Sequence, residues 1–227
     1  MSIRNIQLFL VIFIYIEFIN AEIVLTGTEK IDRDGNLYYL WLSNNEGKAR
    51  MGIQEINHFN CTWKNVRDVM CQYIKDIRPS KIIEENYIEI NYESQLNAEG
   101  YAFVGIYGYG KMLNETFYIV ENYTDDFVPP ENHLGTTTII DGSEYDTYIQ
   151  VLTYGPNHLG IEKSTNYWNV RKVKRDKGTI HLKEHFKSCK LKGYEFTEIS
   201  RVSFLAEGKE SKGEADINKL KLFFNQY

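Results

Sequence analysis

The sequence has few cysteines and no recognisable metal-binding motif. Its 227 residues include only Cys61, Cys71 and Cys189, with no Cys-x-x-Cys pair and no histidine-rich stretch. Zinc sites need closely spaced Cys and His ligands, so neither a metal ion nor another cofactor is expected. An odd number of cysteines allows one disulfide bond and one free thiol, but the sequence does not determine which two residues pair.

An excess of positive charge is also missing. The chain has 26 Lys and Arg residues against 31 Asp and Glu residues, which gives a net charge of −5. Proteins that bind nucleic acid usually present a basic surface to the phosphates. Nucleic acid is therefore not an expected partner.

The start of the chain could be a membrane anchor or a cleaved signal peptide, and it lacks the long apolar segment that an anchor needs. The apolar run at residues 8–16 is followed by Glu17 and is far shorter than the ~18 residues of a spanning helix. Arg4 precedes the run and Ile-Asn-Ala follows it, which is typical of a secretory signal peptide cleaved after Ala21. We therefore expect residues 1–21 to be removed and the mature chain to be secreted and extracellular, with no membrane partner.

Three Asn-x-Thr sequons follow, at Asn60, Asn114 and Asn122. In a secreted protein these motifs are acceptors for N-linked glycans, although sequons also arise by chance.

Most of the mature chain consists of short segments with strand-like composition, separated by turn residues. NLYYLWLS follows the turn signal DRDG, and the later segments include EINHFNCTW, DVMCQYI, YIEINY, YAFVGIYGYG, TFYIVEN, TTTII, EYDTYIQVLTY, STNYWNVRKVK, ISRVSFLAEG and INKLKLFF. Many short strands with regular turns predict a β-sandwich or barrel. We expect one domain, residues 37–227, after an N-terminal segment at residues 22–36.

One segment, HLKEHFKSCKLKG at residues 181–193, predicts a helix. Leu182, His185, Phe186 and Cys189 recur at three- and four-residue spacing, which makes one buried stripe, and Gly193 is a helix stop. We interpret His185 as a core histidine with satisfied hydrogen bonds, since it lies on this stripe.

Aromatic residues are abundant, with 17 Tyr, 12 Phe and 3 Trp. Such rings pack well in sheets, and they also line sugar-binding grooves, where a flat ring covers the face of a pyranose. Composition alone favours packing.

An ordered set of motifs gives a more specific indication. In chain order these are LYYLW, YGYGKMLNETFYIVEN, DGSEYDTY, NYWNVR, HLKEHF and AEGKESKG. Their order and spacing resemble the xylanases of glycoside hydrolase family 11, over residues 37–224. The resemblance implies an all-β fold, a β-jelly roll of two bent antiparallel sheets with one α-helix, and a cleft that binds β-1,4-xylan. It also implies retaining hydrolysis by two carboxyl groups roughly 5–5.5 Å apart.

The resemblance assigns one carboxyl group clearly. Glu207, followed by Gly208, occupies the position of the family's acid/base residue. Asp68 corresponds to the neighbour that adjusts the pKa of that residue, and two carboxyl groups that share a proton titrate together.

The nucleophile position is substituted. With Tyr107-Gly108 and the YIVE segment aligned, Thr116 stands where the family has its nucleophilic Glu, and Glu115 comes one residue early. A shift of one residue turns a strand side chain to the other face, so Glu115 is a nucleophile only if a β-bulge re-aims it.

The remaining cleft positions are partly retained. Pro156 lies in the segment that corresponds to the thumb loop, Asn166 replaces a Gln, Phe127 replaces a Tyr, Leu152 replaces an Arg and Arg201 replaces a Tyr. The family's sugar-facing or supporting aromatic residues are matched by Trp41, Tyr107, Tyr118 and Trp168.

Three functions remain open. The first is a secreted, monomeric, xylanase-like protein that binds β-1,4-xylan or a related polysaccharide but has impaired or lost hydrolysis. The second is an active endo-1,4-β-xylanase, with Glu115 re-aimed or with a water molecule admitted beside Thr116. The third is reuse of the fold for protein interaction, since fold does not determine function.

Overall fold

The structure, a computed structural model, describes residues 22–80, 88–110, 115–131, 133–153, 163–194, 196 and 198–224. The predicted signal peptide, residues 1–21, lies outside the described residues. The helix is α1 (Leu182–Leu191), and a 3-10 turn lies at Ser43–Asn45. In chain order the strands are β1 (Ile23–Leu25), β2 (Glu29–Arg33), β3 (Asn36–Leu42), β4 (Lys48–Glu55), β5 (His58–Ser80), β6 (Ile88–Gly110), β7 (Glu115–Tyr123), β8 (His133–Ile140), β9 (Ser143–Thr153), β10 (Lys163–Arg171), β11 (Lys177–His181) and β12 (Ile199–Phe224).

Alternating side chains explain why these segments form strands with two different faces. In β3, Tyr38, Leu40 and Leu42 are buried, whereas Tyr39 and Trp41 are only partly buried on the opposite face. The same period of two runs through β9. One face of the sheet therefore packs on the main core, and the side chains of the other face point away from that core.

Three long strands form the centre of the fold. β5, β6 and β12 contain 23, 23 and 26 residues. Each has a residue of positive φ within it, namely Asn65 (54°), Gly100 (84°) and Glu210 (45°). The pairing register places these three residues side by side across the sheet. The strands therefore bend together, and the sheet folds over on itself.

The bend divides the sheet into two layers. In the first layer, β1 and β4 extend from the first part of β5, and β11 pairs with the first part of β6. The second layer has the order β2–β3–β5–β12–β6–β7–β10–β9–β8. Every described pair is antiparallel except β7–β10, which is parallel, so the expectation of purely antiparallel sheets was too simple. The main hydrophobic core joins side chains from both layers, and the jelly-roll prediction is confirmed.

A disulfide bond links the two parts of β5. It joins Cys61 and Cys71, which lie on either side of the bend at Asn65, with their Cα atoms 6.2 Å apart. Both residues are fully buried in the main core, and Cys189 is a buried free thiol. The disulfide thus ties the two layers together, and it settles the pairing that the sequence left open.

The helix agrees with its sequence pattern, apart from one side chain. α1 buries the predicted stripe of Leu182, His185, Phe186 and Cys189, and it ends before Gly193, whose φ is 87°. The prediction that His185 has satisfied hydrogen bonds was wrong, because neither ring nitrogen has a partner within the described residues. Burial lowers the pKa of His185 to about 3, so the ring is neutral and packs edge-on against Tyr145.

Candidate functional site

One face of the second layer is lined with aromatic rings. Strand alternation turns these rings away from the main core, so they form a second cluster with Val120, Val170 and Leu205. We call this surface the aromatic face. Its aromatic members are Tyr101, Phe103, Tyr107, Tyr118, Tyr123, Phe127, Tyr148 and Trp168.

The rings of the aromatic face are held by contacts with one another. Tyr118 and Trp168 lie opposite each other on β7 and β10 and are stacked, with ring centroids 3.8 Å apart and planes 5° apart. Tyr107 lies 4.8 Å from Tyr118, and Phe127 lies 5.1 Å from Tyr101. Tyr118, Phe127 and Trp168 are buried, whereas Tyr101 and Tyr107 are only partly buried. The buried rings therefore support the partly exposed rings, which a ligand can reach.

Glu207 lies within the aromatic face. On β12 it is opposite Phe103 of β6 and Met70 of β5. The side chain is only 7 % exposed, and its Oε2 atom has no hydrogen-bond partner among the residues that the structure describes. Burial first, and the charge of Asp68 second, raise the pKa of Glu207 well above its usual value. These surroundings therefore favour the protonated, neutral form of Glu207.

Asp68 lies next to Glu207 on the same face. It is two residues from Met70 on β5, which makes it a diagonal neighbour of Glu207, and it is directly opposite Lys209. Burial raises the pKa of Asp68 to about 6, although Lys209 and a hydrogen bond from the Val69 backbone act in the other direction. The structure thus brings together the two carboxyl groups that the sequence predicted as a pair.

Thr116 is part of a neutral hydrogen-bonded network. On β7 it lies beside Tyr109 of β6 and Asn166 of β10, and its Oγ1 atom donates to Asn166 Oδ1 at 2.6 Å. Ser164 Oγ donates to the same oxygen at 3.2 Å, and Asn166 Nδ2 donates to Gln150 Oε1 at 3.1 Å. None of these four side chains has a charge, so this part of the site is polar but uncharged.

Glu115 lies on the other face of β7. An added Cβ at Gly110 would come within 2.9 Å of Glu115 Oε2 and 3.5 Å of Phe196, a main-core residue. Burial is the main cause that raises the pKa of Tyr167 to about 12, and the charge of Glu115 is the second cause. Tyr167 packs on Phe196, so Glu115 lies near the main core. β7 pairs with β10 in unbroken register from residue 115 to residue 120, and its one irregularity lies at residue 121. Glu115 and Thr116 therefore point to opposite faces.

The other predicted site residues are less closely grouped. Trp41 is opposite Met70 and so lies in the same cross-strand row as Glu207. Arg201 is opposite Tyr109, with its guanidinium 5.9 Å from the centre of that ring. Leu152 is partly buried opposite Ser164 on the adjacent strand. Pro156 and Asn114 lie outside the described residues.

Sequence reasoning did not find every residue of this site. It missed Tyr101, Tyr123 and Tyr148 on the aromatic face, and Gln150 and Ser164 in the network. Period-two reading of YAFVGIYGYG would have placed Tyr101 on the same face as Tyr107. The partners of Thr116 had no local signal, since they lie far along the chain.

The described residues contain no group of three or more His, Cys, Asp or Glu side chains arranged to hold a metal ion. In the same residues, no helix combines the length and the apolar character needed to cross a bilayer.

Comparison with known proteins identifies the family. The family model "Glycosyl hydrolases family 11" matches residues 33–218. The chain belongs to glycosyl hydrolase family 11. The resemblance seen in the motifs is thereby confirmed at the level of the family.

Two relatives illustrate how far family 11 similarity extends. Endo-1,4-beta-xylanase A of Bacillus pumilus is 25% identical over 229 residues, which cover 98% of this chain and 99% of that protein. Endo-1,4-beta-xylanase A of Thermoclostridium stercorarium is 29% identical over 195 residues, which cover 86% of this chain but only 29% of that longer protein. The similarity to the Bacillus protein thus spans almost both full chains.

Solved structures agree on the fold. The family 11 xylanase of Neocallimastix patriciarum superposes with a TM-score of 0.77 and 24% identity, and the match covers 89% of this chain and 100% of that one. At 24% identity, this comparison supports the shared fold and nothing further.

Proposed function

We propose that the protein is a secreted, monomeric, xylan-binding member of family 11 that has lost, or nearly lost, retaining hydrolysis. The observation behind this proposal is the neutral network around Thr116 on the face that holds Glu207. Relatives named as endo-1,4-β-xylanases support xylan as the polysaccharide.

Retaining hydrolysis needs two carboxyl groups in different roles. A protonated acid donates to the leaving oxygen, and a carboxylate on the other side of the sugar attacks the anomeric carbon. Glu207 fits the first role, because it is buried and its pKa is raised well above the usual value. Asp68 does not fit the second, since it lies beside Glu207 rather than with Thr116 on the other side of β6.

Thr116 does not supply the missing nucleophile. A hydroxyl group is a weak nucleophile unless a base removes its proton. The proton of Thr116 points to an amide oxygen of Asn166, which is not a base, and the surrounding Ser164 and Gln150 are neutral too. The hydroxyl also lacks the negative charge that stabilises an oxocarbenium-like transition state.

Binding of a polysaccharide requires surfaces for its sugar rings but does not require a nucleophile. The partly exposed Tyr101 and Tyr107, with Trp41 in the row of Glu207, provide rigid rings for stacking on sugar faces. Tyr107 packs on Tyr118, which is stacked on Trp168, and Tyr101 packs on Phe127. These contacts hold the two partly exposed rings in place before a ligand arrives, which lowers the entropy cost of binding.

One observation favours the alternative, an active endo-1,4-β-xylanase. Glu207 has the burial and raised pKa that a general acid needs. An inverting reaction would still need a base that activates water on the other side of the sugar. The described side chains that bond to one another around Thr116 include no acidic group.

Hydrolysis tests the first part of the proposal. Reducing-sugar release from β-1,4-xylan should be absent or very slow for the wild-type protein and should increase for Thr116→Glu. The Gln side chain of Thr116→Gln has the same shape as the Glu side chain of Thr116→Glu but no charge, so this variant should stay inactive. Rapid release by the wild type that Glu207→Gln abolishes would establish the active-xylanase alternative.

Affinity electrophoresis tests the second part. Wild-type protein should be retarded in gels that contain xylan, and Tyr107→Ala should reduce the retardation. Normal migration on every xylan tested would refute polysaccharide binding and leave protein interaction as the use of this fold.

A further inference from the structure

A lysine lies at the end of the aromatic face that is next to the bend. Lys209 comes two residues after Glu207 on β12, within a stretch that pairs with β6 in unbroken register. Strand alternation therefore directs both side chains to the same face. The bend begins at the next residue, Glu210, and the side chain of Lys209 is exposed.

Lys209 lies between an aromatic ring and a carboxyl group in one cross-strand row. It is opposite Tyr101 on β6 and opposite Asp68 on β5. Residues directly opposite each other have Cβ atoms about 4.5–5.5 Å apart. A sugar ring that stacks on the partly exposed Tyr101 therefore brings its substituents within reach of the Lys209 ammonium group.

The neighbouring carboxyl group leaves the ammonium group of Lys209 open to a ligand. Asp68 Oδ1 is buried and has no hydrogen-bond partner among the described residues, so Lys209 is not bonded to that oxygen. Lys209 acts through its charge on both Asp68 and Glu207. The aromatic face thus presents an exposed positive charge beside a ring that can stack on a sugar.

A sugar with a carboxylate, a uronate, matches this pair of residues. Its pyranose ring can stack on Tyr101 while its carboxylate pairs with the Lys209 ammonium group. An unsubstituted xylan has only hydroxyl and ether oxygens, so it gains no ion pair from Lys209.

We propose that Lys209 gives the aromatic face a preference for β-1,4-xylan that carries uronic acid side groups over unsubstituted xylan. This inference rests on the proposed function and names the class of xylan that the site selects. An exposed ion pair strengthens binding about two- to fivefold at low salt, and less as salt is added.

The preference should depend on pH, because Asp68 opposes a uronate at Lys209. Burial raises the pKa of Asp68 to about 6. Above this pH Asp68 is negative and repels the uronate, whereas below it Asp68 is neutral. The uronate itself is still ionised at about pH 5, since a carboxyl group in water titrates at about pH 3–4. The charged and titratable groups around Asp68 are Arg67 on β5, Glu207, Lys209 and Glu210 on β12, Tyr101 on β6 and Glu46 in the turn before β4.

Calorimetric titration with two xylo-oligosaccharides of equal backbone length tests the inference, one with a single glucuronic acid side group and one without. Wild-type protein should bind the acidic ligand about two- to fivefold more tightly, with a larger ratio at about pH 5 than at about pH 8. The ratio cancels any effect of pH that the two ligands share. Asp68→Asn should show the larger ratio at both pH values.

Variants of two lysines separate a local contact from overall charge. Lys209→Gln should bind the two ligands equally, and Lys209→Arg should restore the preference. Lys64→Gln is the matched control, because it removes the same charge from the first layer, where Lys64 is exposed and opposite Lys48. Its ratio should equal that of the wild type. Circular dichroism of each variant confirms that it is folded.

The outcomes distinguish this inference from the proposed function. Equal binding of the two ligands by the wild type, or a preference that Lys209→Gln keeps, would overturn the role of Lys209 while polysaccharide binding stands. The same loss of preference in Lys64→Gln and Lys209→Gln would also overturn it. Absence of binding of both ligands to the wild type at either pH would overturn the proposed function itself.

Discussion

Glu207 and Thr116 show at the residue scale how the surroundings of a side chain decide its chemistry. Glu207 is a carboxyl group that burial keeps neutral, and Thr116 is a hydroxyl group whose proton goes to the amide oxygen of Asn166. Among the described residues, the site therefore has an acid in Glu207 and a neutral hydrogen-bonded group at Thr116, where a carboxylate nucleophile is expected. A surface lined with aromatic rings, with a hydroxyl group at position 116, suits sugar binding better than bond cleavage.

The raised pKa of Asp68 predicts how the stability of the protein changes with pH. Its pKa in the folded protein is about 6, against 3.8 for the ordinary group. Below the ordinary value the carboxyl group is protonated in both states and has no effect on pH-dependent stability. As pH rises from 3.8 to about 6, the unfolded chain loses this proton before the folded protein does, so stability falls.

Asp68→Asn should therefore be more stable than the wild type near neutral pH and equally stable at about pH 3. The gain should be about 1 kcal/mol, or ~2–4 °C in Tm, because Asp68 remains partly in contact with water. Differential scanning calorimetry at both pH values measures it. A gain of the same size at acid pH would contradict titration of Asp68 as the cause.

The sequence predicted the positions of several site residues but not their hydrogen-bond partners. Motif order placed Glu207 and Asp68 in one site, and strand alternation separated Glu115 from Thr116, as the structure has them. The bonding of Thr116 could not be predicted, because Asn166 is 50 residues away and register across β7 and β10 is a long-range property. The open hydrogen-bonding capacity of His185 was also missed, since a helical pattern shows burial but not partners.

At the scale of secondary structure, the bends in the three long strands give the sheet its shape. The sequence predicted separate short strands on either side of residues 65, 100 and 210. The structure shows continuous strands that change direction at these points. Local composition shows where strand-like sequence is interrupted, but only pairing with neighbouring strands shows that the chain bends and continues in the same sheet.

Gly100 is the most sensitive point of these bends. Its φ is 84°, and an added Cβ would lie 2.8 Å from the carbonyl oxygen of Glu210. Gly100→Ala should therefore destabilise the protein by about 1–3 kcal/mol, through backbone strain and close contact together. Gly142 is the matched control, since its φ is 72° but an added Cβ meets no described residue within 4 Å beyond its two chain neighbours.

Urea denaturation of both glycine variants separates these contributions. Gly142→Ala should show only the cost of the backbone strain and should lose less stability than Gly100→Ala. An equal loss in the two variants would show that contact at the bend contributes nothing.

At the scale of the whole molecule, the disulfide crosslinks the two layers inside the core that they share. Cys61 and Cys71 lie in different parts of β5, and the aromatic face begins on the same strand at Asp68. Because the two layers share β5, β6 and β12, a change in their angle would also change the face that holds Glu207. The sequence allowed three pairings and could not select this one.

Removal of the disulfide should lower stability measurably. The double variant Cys61→Ala/Cys71→Ala should lose about 2–3 kcal/mol, since the crosslink closes a short loop in the unfolded chain. A reducing agent should lower the Tm of the wild type and leave that of the double variant unchanged. Cys189→Ala is the control, because this thiol is free and its variant should keep the response to reduction.

The central claim, that the site has no carboxylate nucleophile, is tested most directly by trapping a covalent intermediate. The reagent is a xylobioside with fluorine next to the anomeric carbon and a good leaving group. With a nucleophilic carboxylate, the leaving group departs and a bond forms between the anomeric carbon and that carboxylate. Intact-mass spectrometry should show no added sugar on the wild-type protein and one added sugar on Thr116→Glu. A wild-type protein that gains the sugar, with the modification mapped to Glu115, would contradict the account.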